Sequence, residues 1–372
     1  MNEQKLIKYL ENIKKSDKIY IYYHNDGDGV ISALAMIKLL TKYSSIENIN
    51  SSPTLKADSK VNQEVSKNKP DKLIFLDISD TTGITYKNIL QIDHHPSGKY
   101  TKGITITPEK GNVACCYLIY DIIKKTTILD NKEIDEIKWI IGLGLLSDLL
   151  FTEESIKFLE EIKKEYKIFS DVVIKDGKIS RQKISFWRRF LPINPYKSSY
   201  LVRYINSPFE TEKESLMLSI LLNCQDPKKI YESKDGKLIK KMYDKREHEI
   251  KRVCKNFERN FKNKKKSQEF EMNDELKIAF YFPDTVLTTN SYINALSFSH
   301  SEWYIFCFSN LNEKEIRISV RNQESKVDLG KLLNSLVKGG GHPNAAGGVV
   351  SKDNFDKFKV DFLNSLKDKA NN

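Results

Sequence analysis

Cysteine is scarce in this chain of 372 residues: there are five, an odd number, with Cys115 and Cys116 adjacent and no Cys-x-x-Cys pair. That usage argues against a disulfide framework and against a thiolate zinc site, and it fits a reducing, cytoplasmic setting. Long apolar runs are missing as well. The most apolar stretch, Trp139 to Phe151, is interrupted by Gly142, Gly144 and Asp148, whereas a membrane-spanning helix needs roughly 20 uninterrupted apolar residues. No membrane span is therefore expected. The opening segment, MNEQKLIKYLENIKK, sets Leu6, Tyr9, Leu10 and Ile13 at helical spacing among charges, unlike the uniform apolar core of a signal peptide. Internal repeats and long low-complexity tracts are also lacking.

What is present is a globular composition, 40% hydrophobic and 30% charged, in a chain too long for one compact core. At roughly 100 to 200 residues per domain, two domains are expected. Lys and Arg number 61 against 50 Asp and Glu, a formal net charge of +11. The excess favours an anionic partner, although much of it is Lys in a sequence also rich in Asn and Ile, so it lends weak support to nucleic acid.

The hydrophobic pattern gives the organisation. Lys18 to Tyr23 reads as a strand, HNDGDG as a polar loop, and Val30 to Leu40 as a helix. Lys72 to Leu76 is a second strand ending at Asp77, and Asn88 to Ile92 runs into Asp93, His94 and His95. Helices follow over Asn112 to Lys125 and Asn131 to Leu146, the latter closing on Ser147 and Asp148. Strands alternating with helices predict a parallel sheet. From Thr152 to Lys266 the pattern is mainly helical, broken near Pro192, Pro195 and Pro208. Strand-like segments return at Lys277 to Phe282, Trp303 to Phe308 and Ile316 to Val320, then Val327 to Leu336, a turn GGGHPNAAGG, and a helix near Asn354 to Lys367. The expectation is an α/β protein: a parallel-sheet N-terminal domain over 1–190, a helical connector over 191–275 and a smaller α/β C-terminal domain over 276–372.

His24, Asp26 and Asp28 share one short loop after an apolar strand, and Asp77 and Asp93-His94-His95 fall at the ends of two further strands. In an open parallel sheet, ligands gather at the carboxyl ends of the strands, and the fold would bring Asp148 to the same place. A lone Asp in a loop is usually a turn or capping residue, and a lone His a hydrogen-bonded core residue. Four clusters in succession point elsewhere. An oxygen-rich donor set with imidazoles and no thiolate suits Mn²⁺ or Mg²⁺ better than structural zinc. Two such ions about 4 Å apart can acidify a bridging water and stabilise charge on a phosphoryl group.

HNDGDGVIS (His24 to Ser32), LDIS (Leu76 to Ser79), IDHHP (Ile92 to Pro96), GLLSD (Gly144 to Asp148) and GGGHPNAAGG (Gly339 to Gly348) resemble, in order, the motifs of the DHH phosphoesterase superfamily, in its RecJ-like exonuclease and nanoRNase branch with a C-terminal DHH-associated domain. The resemblance spans both ends of the chain and leaves the helical middle unmatched. It implies two divalent ions, Mn²⁺ preferred and Mg²⁺ as substitute, held by His24, Asp26, Asp28, Asp77, His94 and Asp148, with Asp77 as the bridge. His24 precedes Asp26 by two residues, where many members have four. Asp93 and His95 would be catalytic, Asp93 orienting the histidines and His95 approaching the scissile phosphate.

In the C-terminal segment, Gly339, Gly340 and Gly341 followed by His342 can cradle a phosphate on backbone N–H groups; glycine runs are also common in plain turns. The resemblance makes these four, with Asn344, a substrate-holding motif. It places Arg321 where a guanidinium contacts phosphate, a position that reads equally as a solvated strand end. In Phe186 to Tyr204, Arg188, Arg189, Lys197 and Arg203 interleave with Trp187, Phe190, Tyr196, Tyr200 and Tyr204. Base stacking is one reading; an amphipathic helix packed on the first domain is the stronger. Lys264 to Lys266 reads as a solvated connector.

The expected function is a metal-dependent phosphodiesterase or exonuclease that hydrolyses single-stranded RNA or DNA oligonucleotides to 5′-mononucleotides by a two-metal-activated hydroxide, with the second domain holding the strand end. A cyclic-dinucleotide or dinucleotide phosphodiesterase is the alternative; a pyrophosphatase fits GGGHPNAAGG less well. A non-catalytic replication scaffold that binds nucleic acid is disfavoured because all the ligand positions are filled. A homodimer is compatible with this reading.

Overall fold

The structure, a computed structural model, describes residues 2–52, 56–57, 59–95, 98–109, 113–126, 128–148, 150–179, 198–207, 214–224, 227–264 and 266–370. The described residues up to Tyr243 form one compact unit and those from Asp244 onward a second.

In the first unit, strands β1 (Ile19–His24), β2 (Ile46–Ser52), β3 (Lys72–Leu76), β4 (Ile89–Ile92) and β5 (Ile104–Ile106) form one sheet in the order β2-β1-β3-β4-β5. Every pairing in it is parallel, as the alternation of strands and helices predicts. Strands β1, β3 and β4 are apolar and buried on both faces, the signature of a covered parallel sheet. Helix α1 (Asn2–Glu11) precedes the sheet, and α2 (Gly27–Leu40) and α3 (Ser59–Asn68) connect its first three strands. Val65 of α3 packs with Tyr20, Tyr22, Leu73 and Phe75. Helix α2 is buried almost all round and packs on α4 (Cys115–Thr126) and α5 (Asn131–Asp148). Each fully buried Leu or Ile of α2 contributes roughly 1.5–3 kcal/mol, so the loop that opens this helix starts from a fixed support.

The strand order reverses between β1 and β3, which defines the crevice where ligands bind in such sheets. Register sharpens this. Tyr23 pairs with Leu76, Leu76 with Ile92, and Ile92 with Ile106. The residues that follow, His24, Asp77 and Asp93, therefore leave neighbouring strands at one level, with strands about 4.8 Å apart.

The helical middle comprises α6 (Glu153–Glu165), α7 (Ser198–Ile205), α8 (Glu214–Leu222) and α9 (Lys234–Lys262), with a short hairpin of β6 (Ile174–Lys175) and β7 (Lys178–Ile179) that the sequence pattern does not announce. The boundary between the units lies within α9. No helix among the described residues is long and apolar enough to cross a membrane.

The second unit is built on a mixed sheet of β8 (Phe270–Asn273), β9 (Ile278–Tyr281), β10 (Tyr304–Asn310), β11 (Glu315–Arg321), β12 (Lys338–His342) and β13 (Ala345–Ser351), in the order β12-β13-β11-β10-β9-β8. Alternation along these strands makes two cores. Ile278, Phe280, Phe306 and Phe308 pack with Leu332 and Leu333 of α11 (Leu329–Leu336) and Phe358 and Phe362 of α12 (Phe355–Ala370). On the other face Ala279, Tyr281, Ile305 and Cys307 pack with Val253 and Phe257 of α9 and Tyr292 and Leu296 of α10 (Asn290–Ser299). One expectation is corrected: GGGHPNAAGG is not a turn but two antiparallel strands, with Pro343 and Asn344 alone at the bend.

Candidate metal centre

The β1 loop, the β3 and β4 ends and the last turn of α5 meet at the reversal point. Asp26 caps α2, its Oδ1 accepting the Gly29 N–H at 2.9 Å, so it stands at a helix N-terminus where a negative charge is favoured. Asp28, in the first turn of α2, is buried, and its two oxygens accept the N–H groups of Cys115 (2.6 Å) and Cys116 (2.8 Å) at the start of α4. One carboxylate thus joins two helices. Asp77 follows β3 with φ +57°, a left-handed conformation that costs a non-glycine residue energy and is kept where the surroundings enforce it.

Around Asp77 the remaining groups converge. Its Oδ2 lies 3.5 Å from His24 Nδ1, which is 2.9 Å from Asp26 Oδ2. Its Oδ1 lies 3.1 Å from His94 Nε2. The same His94 nitrogen is 3.9 Å from Asp28 Oδ2 and 3.7 Å from Asp148 Oδ2. The donors fall into overlapping groups, His24–Asp26–Asp77, Asp77–His94–His95 and Asp28–His94–Asp148, each with its ligand atoms within 4.8 Å of one another. Asp28, Asp77 and His94 are buried while Asp26, at 35% side-chain exposure, and Asp148, at 23%, open to solvent.

All six metal-ligand candidates are therefore brought together. Asp93 and His95 stand beside them: Asp93 Oδ1 is 2.8 Å from His95 Nδ1, and Asp93 Oδ2 accepts the Tyr100 hydroxyl at 2.7 Å and the His95 N–H at 3.2 Å. Asp93 thus orients His95.

The electrostatics fit bound cations. Burial, reinforced by Asp77 and Asp148, pushes the Asp28 carboxyl well up, and burial with Asp77 and Asp26 pushes Asp148 up to about 6 against the pull of His94. Burial opposes charging His94, yet Asp148, Asp77 and Asp28 outweigh it and raise its pKa. For Asp77, burial is outweighed by His24 and His94, which hold it far below the usual carboxylate range. Asp77 Oδ1 and Asp148 Oδ2 are buried and accept no aligned hydrogen bond from the described residues, although buried oxygens ordinarily have a donor. Carboxylates crowded at this density repel one another, and divalent cations on these oxygens would relieve both the repulsion and the missing bonds. The donor set, oxygen-rich with imidazole, suits Mn²⁺ or Mg²⁺.

Three contributors carry no sequence signature: the Cys115 and Cys116 amides, Tyr100, and Asn206 just past α7. Asn206 Oδ1 accepts the Gly27 N–H at 3.0 Å, and its Nδ2 donates to Ser147 Oγ and to the Val202 carbonyl, both at 2.8 Å. Backbone amides, and side chains distant in sequence, leave no local pattern to read.

In the second unit, Arg321, Ala345 and His342 pair across β11, β13 and β12 and form one cross-strand row; Ser319, Gly347 and Gly340 form the next row on that face. The Arg321 guanidinium donates to Asn294 Oδ1 (3.2 Å), Asn290 Oδ1 (3.4 Å) and the carbonyls of Val320 (3.0 Å) and Ala346 (3.3 Å). No carboxylate pairs with it among the described residues, and burial lowers its pKa to about 10. A Cβ on Gly340 would meet nothing within 4 Å, whereas one on Gly339 would lie 2.4 Å from the Gly347 carbonyl oxygen. Gly341, at φ +142°, would press on the Ala345 carbonyl at 2.3 Å. Gly339 and Gly341 are thus fixed by strand packing, and Gly340 by nothing within its own unit. Asn344 lies partly exposed at the bend, its carbonyl accepting the Asn322 N–H.

Of the aromatic and basic segment, Trp187, Arg188, Arg189, Phe190, Tyr196 and Lys197 lie outside the described residues. Tyr200, Arg203 and Tyr204 are core residues, the tyrosines clustering with Tyr231 and Tyr243. They cannot stack on bases. Lys264 and Lys266 pair with Asp274 and Glu271 on the surface, and Lys265 lies outside the described residues.

Comparison with known proteins places this geometry in context. Residues 18–145 match the DHH family, N-terminal domain, and residues 291–368 match the DHHA1 domain. A search of the curated proteins found no match. Among solved structures, a manganese-bound exonuclease RecJ is similar at TM-score 0.61 and 12% identity, covering 98% of this chain and 94% of that one. RecJ from Thermus thermophilus in complex with Mn²⁺ aligns at TM-score 0.64 and 13% identity over 98% of this chain, which spans 54% of that longer protein. CDC45 from Entamoeba histolytica aligns at TM-score 0.57 and 10% identity, over 98% and 99% of the two chains. At such identities these likenesses show the fold.

Proposed function

The chain belongs to the DHH phosphoesterase superfamily, and from that premise we propose that it is a metal-dependent phosphodiesterase releasing 5′-mononucleotides from single-stranded RNA or DNA oligonucleotides. The observation that carries the reading is Asp77, whose two oxygens face two donor groups, His24 with Asp26 on one side and His94 with Asp28 and Asp148 on the other. His24, Asp26 and Asp77 would hold one ion; Asp28, Asp77, His94 and Asp148 would hold the other. When bound, such ions supply an acidified water and Lewis-acid stabilisation of phosphoryl charge. A preference for Mn²⁺ with Mg²⁺ as substitute, a cytoplasmic location and a homodimer belong to the same reading, as does the division into a catalytic part over 1–190, a connector over 191–275 and a substrate-holding part over 276–372.

The chain's own residues do the rest. The α4 amides hold Asp28 in one orientation, so it needs no rearrangement to bind a cation. Asp93 engages His95 Nδ1 and fixes the ring, so Nε2 would donate to a phosphoryl oxygen only as the imidazolium. Arg321, held by neutral acceptors, offers uncompensated positive charge to a phosphate. His342 in the same cross-strand row and the bare surface at Gly340 let a nucleotide lie against the sheet.

The test incubates purified chain and Mn²⁺ with end-labelled RNA and DNA of graded length, alongside cyclic di-AMP and pyrophosphate, and resolves the products by size. Mononucleotides from oligonucleotides are expected. Preferential cleavage of the cyclic dinucleotide would move the assignment to a dinucleotide phosphodiesterase, and intact substrates throughout would leave a nucleic-acid-binding scaffold.

A further inference from the structure

We propose that Asn206 is a positioning residue that fixes the ends of α2 and α5, which carry ligands of both ion sites, an inference that rests on the metal-dependent reading above and extends it into the helical middle of the first unit. The ligands Asp26 and Asp28 flank Gly27 at the start of α2, and Asp148 follows Ser147 at the end of α5. No backbone hydrogen bond joins these two helix ends among the described residues. Asn206 joins them: its Oδ1 accepts the Gly27 N–H at 3.0 Å and its Nδ2 donates to Ser147 Oγ at 2.8 Å.

The contact is built on both sides. A Cβ on Gly27 would stand 2.2 Å from Ser147 Oγ and 3.1 Å from Asn206 Nδ2, so the glycine between the two aspartates is required by the close approach of these side chains. On the other side, Asn206 is tied to its own helix by the Val202 carbonyl at 2.8 Å. That helix is anchored by Tyr204, fully buried, whose hydroxyl donates to the Gly236 carbonyl at 2.6 Å, and by its packing on α5. The amide therefore ties a packed helix to the start of α2 and the last turn of α5. Asp26 is assigned to one ion site, Asp28 and Asp148 to the other, so the bridge bears on ligands of both; α2 and α5 also pack on each other directly, and its loss shifts their ends rather than freeing them. Groups that orient metal ligands from behind typically change metal affinity by roughly 10- to 100-fold when removed; a bridge acting through Gly27 and Ser147 belongs at the lower end.

The experiment measures Mn²⁺ binding by calorimetry, with thermal melts in chelator, on the full chain and on Asn206→Ala, Ser147→Ala and the double variant. Asn206→Ala is expected to weaken Mn²⁺ about 10-fold while its chelator melt shifts little. Ser147→Ala, which removes one hydroxyl, should give a smaller loss in the same direction. The double variant should lose no more than Asn206→Ala alone, because both changes cut one bridge. An unchanged Mn²⁺ isotherm in a folded Asn206→Ala overturns the inference, as do additive losses in the double variant. Should Asn206→Ala not fold, wild-type binding by Ser147→Ala overturns it. Absence of Mn²⁺ binding in the wild type instead overturns the metal reading itself, so the two failures are told apart.

Discussion

The two units treat charge in opposite ways. In the first, carboxylates crowd into a buried space: Asp28, Asp77 and Asp93 are at most 2% exposed, and Asp77 and Asp148 carry oxygens without an aligned donor among the described residues. In the second, a guanidinium is held by two asparagines and two carbonyls with no carboxylate beside it among the described residues. Each arrangement leaves charge uncompensated by the protein, negative in one and positive in the other. An unpaired group in a partly dry site is costly; on the function proposed above, divalent cations would answer the first and phosphate the second.

The largest expected effect tests the first half of that contrast. Asp77→Ala should remove activity by on the order of 10³-fold, about 4 kcal/mol of barrier, and abolish the rise in melting temperature that Mn²⁺ gives the wild type. At a hundredfold excess over the dissociation constant that rise corresponds to about 2.7 kcal/mol; a Mn²⁺-dependent melt in Asp77→Ala would break the contrast. Next, Arg321→Ala should raise KM for a short oligonucleotide roughly 10- to 100-fold, from loss of a charged hydrogen bond worth about 1.5–3 kcal/mol. Its Mn²⁺ isotherm should be unchanged, and an altered isotherm would deny the two units separate partners. Gly341→Ala should destabilise by about 1–3 kcal/mol, because φ +142° and the Ala345 carbonyl leave a side chain no room. Gly340→Ala should change stability by less than about 0.5 kcal/mol while raising KM; denaturant melts and initial rates on the pair check both. The smallest effect is expected of Tyr100→Phe, which removes one donor to Asp93 and should lower kcat with KM nearly constant. A KM effect alone would place Tyr100 with substrate rather than behind His95.

The motif residues were legible because chemistry in a parallel sheet is concentrated at strand ends, and strands such as KLIFL announce their ends by a change from apolar to polar. Less of the rest could be read. Strand β2 (IENINSS) lacks apolar alternation because its Asn48 and Asn50 side chains bond Glu64 of α3 rather than filling a core. GGGHPNAAGG looks like a turn because strand propensity disfavours glycine, yet Gly339 and Gly341 allow the close passage of β12 and β13. The supports of the site, Asn206 and the amides of Cys115 and Cys116, act across separations of 179, 87 and 88 residues. They belong to the tertiary fold, and no local pattern encodes them.

Counting Mn²⁺ ions per chain by calorimetry, in the wild type and in Asp77→Ala, tests most directly whether one carboxylate serves two cations. The account predicts two ions in the wild type and the loss of both in the variant. Two ions retained without Asp77, or none bound by the wild type, would contradict it.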